Sequence, residues 1–409
     1  MDSGRLLSYP LSAYYAMKAV IFGAGNIGRG FLGQLFSQSG YEVVFIELAQ
    51  DIVDRLNADR SYPIRIVSDA GEQTYTVTRV RAIQAAEAEH IAAEMATANI
   101  LATAVGVNAL PAIAPAIAQS LRHRFDSGNT TELNVIICEN IIHSGQHLRR
   151  LVLQHLPERY NSALDQKIGW VATVVSRMVP VVTDEMRKEN LAQIAVEPYC
   201  ILPVDKPAFK GPLPRIEGFL FADNLPALEE RKLFAHNAGH ALCAYFGYHK
   251  GYTYIYEAIR DREIRRKTLA GLNESGRALI KKHHFDPKEH KAHLDDLVRR
   301  FSNVALGDTV ARVARDPIRK LGRNDRFIGS ALLALEYGVQ PVFLLEGIVA
   351  ALRYDNPEDE KAVELQRLLA DEGIAHVLET ACELKPSEPL FDLISHKYKQ
   401  SIRSRKIST

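Results

Sequence analysis

The chain has 409 residues, is 47% hydrophobic and 24% charged, and carries a formal net charge of +1. This length exceeds one ordinary core and predicts two domains, and the near-zero charge excludes an overall field that would draw nucleic acid or an anionic membrane surface. No apolar run reaches the roughly 18–20 residues that span a bilayer.

The segment 1–16 lacks the apolar stretch of a signal peptide and reads as an N-terminal extension or alternative start. From Met17 the chain alternates strand and helix. Lys18 to Phe22 is a short apolar strand, Gly23-Ala-Gly-Asn-Ile-Gly28 a glycine turn, Arg29 to Ser39 a helix, and Glu42 to Glu47 a second buried strand. Tyr62 to Ser68 and Gln73 to Arg81 predict a hairpin about Asp69-Ala-Gly71, followed by a helix over Ile83 to Ala98. Asn99 to Gly106, Leu133 to Asn140 and Gly169 to Val182 predict further strands, with a helix from Pro111 to Arg124. Continuous apolar strands alternating with helices imply a parallel sheet covered on both faces. Pro203, Pro207, Pro212 and Pro214 then crowd one stretch, read as an interdomain connection.

From Leu225 the period is helical: Leu228–Phe246, Tyr254–Lys282, Pro287–Phe301, Thr309–Ala314, Arg326–Tyr337, Val342–Tyr354 and Glu358–Ala370. Lys397 to Thr409 reads as a frayed basic tail. The expected architecture is α/β, a doubly wound Rossmann-type domain over 17–200 followed by a mostly helical domain over 201–409. Cys138, Cys200, Cys243 and Cys382 lack paired spacing and read as free thiols suited to a reducing cytoplasm.

The glycine motif follows a buried strand, opens a helix and is followed by a strand ending in an acid, the context a dinucleotide site requires. Gly23 permits the turn, Gly25 lets a pyrophosphate approach the backbone, and Gly28 lets the helix pack on the sheet. Ala24, Asn26 and Ile27 complete the loop, whose N–H groups face phosphate. Glu47, nineteen residues after Gly28, can accept from a ribose hydroxyl and would repel a 2′-phosphate, which favours NAD over NADP. Thr103 and Val105 end another strand and are candidates to line the same crevice.

Glu229 to His240 carries the most concentrated chemistry. On a regular helix at ~100° per residue, Lys232, His236, His240 and Asn237 share one side. Gly239 there implies close approach of another element or a ligand. Oxidising a secondary alcohol needs a base, donors for the oxygen and a hydride acceptor; a lysine in a dry cleft, asparagine amides and a histidine suit these tasks. Asn140, at the carboxyl end of its strand, is a second candidate amide. His236 and His240 also have the spacing of a zinc-binding pair, as His143 and His147 do, but no third ligand is evident, so no metal is expected. The run Lys281 to His293 reads as a solvated helix connection rather than a nucleic-acid or metal site.

These residues carry a resemblance. MKAVIFGAGNIGRGF from Met17, Cys138-Glu139-Asn140, DKPAFKG from Asp205, ERKLFAHNAGHA from Glu230, RVARDPIRKL from Arg312 and LEYG from Leu335 resemble the polyol-specific long-chain dehydrogenases, the mannitol dehydrogenase family, over Met17 to about Lys399. The resemblance implies a metal-independent, NAD-dependent oxidation of D-mannitol 1-phosphate to D-fructose 6-phosphate by a monomer. In it Lys232 is the general base, Asn140 and Asn237 hold the oxyanion, and His240 orients the substrate. One departure is Ser176 before Arg177, where the family often has Asp, which puts local charge pairing in question. Lys206, Lys210, Arg312, Arg315, Arg319 and Lys320 are the candidates to meet a phosphate. The rivals are a dehydrogenase or reductase of an unphosphorylated polyol or hexuronate, and a catalytically silent NAD-binding regulator. The complete set of Lys232, Asn140, Asn237 and His240 argues against the regulator.

Overall fold

The computed structural model describes residues 17–180 and 188–407. It divides into two compact units, one built from the residues up to Ile66 and Glu72–Leu225, the other from Val67–Gly71 and Pro226 onward.

The first unit contains strands β1 (Lys18–Phe22), β2 (Glu42–Glu47), β3 (Ser61–Ser68), β4 (Gly71–Thr78), β5 (Val80–Gln84), β6 (Ile100–Thr103), β7 (Leu133–Ile137), β8 (Ile168–Ala172), β9 (Ile194–Val196), β10 (Leu202–Asp205) and β11 (Phe219–Ala222). A six-stranded sheet runs in the order β5-β2-β1-β6-β7-β8, and every neighbouring pair is parallel. Successive residues of β1 enter opposite cores: Ala19 and Ile21 pack on one face of the sheet, Val20 and Phe22 on the other. Burial on both faces is what removes hydrophobic alternation from these strands. The strand order reverses between β1 and β6, the point at which a doubly wound sheet opens a crevice beyond its carboxyl ends. Smaller sheets, β4-β3-β9 and β10-β11, complete the unit.

Several expected elements change. The strand expected over Gly169 to Val182 stops at Ala172, and its last two residues lie outside the described ones. Thr173 instead bridges Val204, and the backbone then leaves the sheet to bring Arg177 inward. Arg177 donates to the Glu197 carbonyl (2.9 and 3.0 Å), the Gly30 carbonyl (2.9 Å) and Gln34 Oε1 (2.7 Å), so it is anchored without an acid at position 176. The strand expected over Gln73 to Arg81 is two strands, because Arg79 adopts φ 58° and turns β5 onto the edge of the main sheet. The helix that follows is accordingly shorter, Ala88–Ala96. The proline-crowded stretch supplies β10, and the first unit continues through Leu225, past the boundary at residue 200 that sequence texture suggested.

The second unit is helical. Its centre is a continuous helical stretch of Leu225–Arg231, Lys232–Asn237 and Ala238–His249, the last of which is buried almost throughout. Packed on it are the helices Ile255–Arg260, Arg262–His283, Val310–Ala314 and Val342–Leu352. Tyr254 to Lys282, expected as one helix, breaks at Asp261, whose carboxylate accepts from Glu263 N (2.9 Å) and Ile264 N (3.0 Å) and caps the longer helix. The expected frayed tail is helical as far as Ile407, in Pro389–Ile407, and its last two residues lie outside the described ones. No helix among the described residues is long and apolar enough to cross a membrane.

Candidate active site

The first unit carries the glycine turn. Gly23 has φ 93°, and a Cβ on Gly28 would meet the Gly23 carbonyl oxygen at 1.9 Å, so neither position admits a side chain. At Gly25 a Cβ would meet nothing within 4 Å: the backbone there faces open space at the start of a helical turn. The loop therefore has both room and oriented donors for a pyrophosphate. The helix it opens is π-wound over Gly28–Gly33 before Gln34–Gln38 continues as α, a departure from the regular helix expected over Arg29 to Ser39.

Glu47 does more than the expected ribose contact requires. Its Oε2 accepts from Ala24 N (2.7 Å), and Oε1 accepts from Leu48 N (2.7 Å) and Ala49 N (3.0 Å), tying the end of β2 to the glycine turn. Thr103 is fully buried and its hydroxyl has no hydrogen-bond partner, while Val105 N donates to Glu139 Oε1 (3.0 Å). Asn140, exposed, lies three residues past the end of β7. The glycine turn, Glu47, Thr103, Val105 and Asn140 thus gather at the carboxyl ends of β1, β2, β6 and β7.

The second unit carries Lys232, Asn237 and His240. The stretch Lys232–Asn237 is a π-helix. Ala238 N bonds to Leu233 O, five residues back, and the Ser275 hydroxyl donates to the Phe234 carbonyl at 2.7 Å from the neighbouring helix. A ladder that pairs i with i+5 stacks Lys232 and Asn237 in successive turns, whereas a regular helix sets them ~140° apart. The close approach inferred at Gly239 comes from another element: a Cβ there would lie 2.9 Å from Leu272.

His240 stacks on Phe301 (centroids 4.8 Å apart, planes 7° apart), and its Nε2 lies 3.0 Å from Asp308 Oδ2. Arg312 Nε donates to Asp308 Oδ1 at 2.6 Å. Burial pushes the Asp308 carboxyl up, but its bonds to His240 and Arg312 outweigh burial and leave it below the ordinary carboxylate range. His236 is buried, its Nδ1 without a partner. Burial, then Arg300, His240, Lys232 and His293, hold it well below the usual imidazole range. Among the described residues no group of three or more His, Cys, Asp or Glu could hold a metal ion.

The phosphate candidates fall into different settings. Arg312 is engaged by Asp308, and Arg319 by Asp316 and Asp325. Lys320 is buried and donates to the Arg315 carbonyl; burial, then Arg326 and Arg319, bring its amine down to about 7. Arg315, five residues earlier, is exposed. Lys206 belongs to the first unit and pairs with Asp223 at 2.8 Å, and Lys210 is fixed through its backbone by Asn134.

Two family models match the chain in succession, the mannitol dehydrogenase Rossmann domain over residues 17–218 and the mannitol dehydrogenase C-terminal domain over 224–402. The chain belongs to the mannitol dehydrogenase family. Within that family it is 40% identical to mannitol-1-phosphate 5-dehydrogenase of Bacillus pumilus over 379 residues, 92% of this chain and 98% of the relative. The Bacillus subtilis enzyme of the same name is 40% identical over 385 residues, 94% of this chain and 100% of the relative. Among solved structures, a substrate-free D-sorbitol dehydrogenase superposes with TM-score 0.78 at 19% identity, covering 94% of this chain and 93% of its own. Pseudomonas fluorescens mannitol 2-dehydrogenase, a ternary complex with NAD and D-mannitol, gives 0.73 at 17% identity, covering 98% of this chain and 94% of its own. Both share the fold.

Within this member of the mannitol dehydrogenase family, the sequence reading missed Asp308 and Ser275. Asp308 and Ser275 act on groups distant in sequence, and no local spacing announces them. Glu139 adjoins Asn140 and was legible as a buried acid at a strand end.

Proposed function

We propose that the chain catalyses reversible NAD-dependent oxidation of D-mannitol 1-phosphate to D-fructose 6-phosphate. The observation that carries this reading is the π-wound segment, which stacks Lys232 and Asn237 one turn before a histidine oriented by a buried carboxylate. The named Bacillus relatives, matched along nearly their full length, support the substrate.

NAD, held by the loop Gly23 to Gly28, supplies the hydride acceptor in one direction and, reduced, the donor in the other. Glu47 accepts from the ribose hydroxyls, and Thr103 and Val105 line the crevice. Lys232, as a neutral amine, takes the hydroxyl proton of the substrate. The amides of Asn140 and Asn237 donate to the oxygen as it gains negative charge. His240, held by Asp308 and Phe301, orients the neighbouring hydroxyls. Arg312, Arg315, Lys320 and Lys206 are the cations assigned to the phosphate, Lys320 gaining a full charge as the dianion arrives. The enzyme is read as a monomer acting in the cytoplasm.

The test is an initial-rate comparison of NADH with fructose 6-phosphate against fructose and against NADPH, with a chelator present throughout. The expected result is turnover only with NADH and the phosphorylated sugar, unchanged by the chelator. Equal rates with fructose would instead identify an unphosphorylated-polyol enzyme.

A further inference from the structure

The turn after β7 holds a carboxylate for which this chemistry has no use. Glu139 is 5% exposed and accepts two backbone N–H groups, Val105 N at 3.0 Å and Gly106 N at 2.9 Å. Gly106 has φ 88° and opens the short helical turn Val107–Ala109, so these two amides are where the chain leaves β6. The same two strand ends are joined once more, by Cys138 N donating to the Thr103 carbonyl at 3.0 Å. Among the described residues Glu139 pairs with no lysine or arginine. A buried carboxylate held by backbone amides acts on its surroundings as a local field.

Where that field falls follows from the sheet. The glycine turn sits at β1 and Glu47 at β2, which assigns pyrophosphate and adenosine ribose to that side. The strand order continues from β1 to β6 and β7, so the carboxyl ends of β6 and β7 face the other half of a dinucleotide, its nicotinamide. The oxidised nicotinamide ring is a cation and the reduced ring is neutral. We infer that Glu139 is a positioning residue with a second consequence. It clamps the turn after β6 to the turn after β7, fixing Asn140 beside the cofactor, and its charge makes the enzyme bind oxidised cofactor more tightly than a neutral residue there would. The inference rests on the reading of the cofactor and of Asn140 given above.

The experiment compares wild type, Glu139→Gln and Glu139→Asp by separate titrations with NAD and NADH, alongside kcat in both directions and thermal unfolding. Glutamine keeps the shape and one acceptor but removes the charge. The expected result is a rise of about fivefold or more in the NAD dissociation constant, less than a twofold change for NADH, and unfolding within a few degrees of wild type. Aspartate keeps the charge but is too short to reach both amides. Its expected result is an unchanged NAD-to-NADH affinity ratio with kcat lowered about tenfold. Glu139→Gln weakening both forms alike, or neither, overturns the inference. Failure of the underlying reading looks different: wild type itself would bind neither NAD nor NADH.

Discussion

At the residue scale, one carboxylate sits against His240, the residue proposed to orient the substrate. Asp308 meets His240 on one oxygen and Arg312 on the other, so a single side chain fixes an imidazole and a guanidinium together. Phe301 stacks on a face of the ring. Removing the charge leaves His240 free to tilt about its χ angles. Asp308→Asn is therefore expected to lower kcat/KM for fructose 6-phosphate roughly ten- to a hundredfold, with NADH affinity retained. Steady-state kinetics with a parallel NADH titration checks this, and an unchanged kcat/KM refutes the role given to Asp308. Lys232, Asn140, Asn237 and His240 stand out in the sequence as candidates because each is a polar residue of suitable chemistry in an apolar or glycine-marked setting. Asp308 was not, since its importance lies in a contact that only folding creates.

At the element scale, the run Lys281 to His293 is largely the exposed helix connection expected, but two of its histidines depart from that reading. Its charges suggested a solvated connection, yet Asp286 caps the helix Pro287–Phe301 and turns two of its histidines inward. His290 is buried with neither ring nitrogen partnered, and His293 is half-buried with Nε2 unpartnered. Burial, then Arg231, brings His290 down to about 4, and burial, then Arg231, His290 and Arg300, brings His293 down to about 3. Both are thus neutral in the fold, while the unfolded chain protonates them near pH 6.5. Below that pH the unfolded state binds more protons, so their contribution is fully present above about pH 6.5 and is lost as pH falls toward 4 and then 3. The slope is about 1 kcal/mol per histidine per pH unit. Urea unfolding at pH 7 and pH 5 is expected to show a lower midpoint at pH 5, and a His290→Asn, His293→Gln double variant a smaller drop. An equal drop in both proteins contradicts the assignment. The π-winding of Lys232–Asn237 was equally hidden: it depends on Ser275 from another helix, whereas the local sequence reads as regular α-helix.

At the scale of the whole molecule, the fold was the most legible part. Strands buried on both faces must be continuously apolar, and the glycine turn, strand and acid follow in fixed order, so the doubly wound sheet could be read directly. The segment after Ala172 was not, because its apolar residues serve an irregular path that brings Arg177 to the Glu197 and Gly30 carbonyls. The residues proposed for the chemistry divide between the units: the first holds Gly23 to Gly28 and Asn140, the second Lys232, Asn237 and His240. The account accordingly predicts that damage to the second unit's amine abolishes turnover without weakening cofactor binding. The decisive measurement is the pH profile of mannitol 1-phosphate oxidation by wild type and Lys232→Met, with NADH binding followed by fluorescence. The account predicts a loss of kcat of about a thousandfold, disappearance of the rise in rate with pH, and an unaltered NADH dissociation constant. A Lys232→Met enzyme that keeps its rate within threefold of wild type, with the same rise, would contradict it.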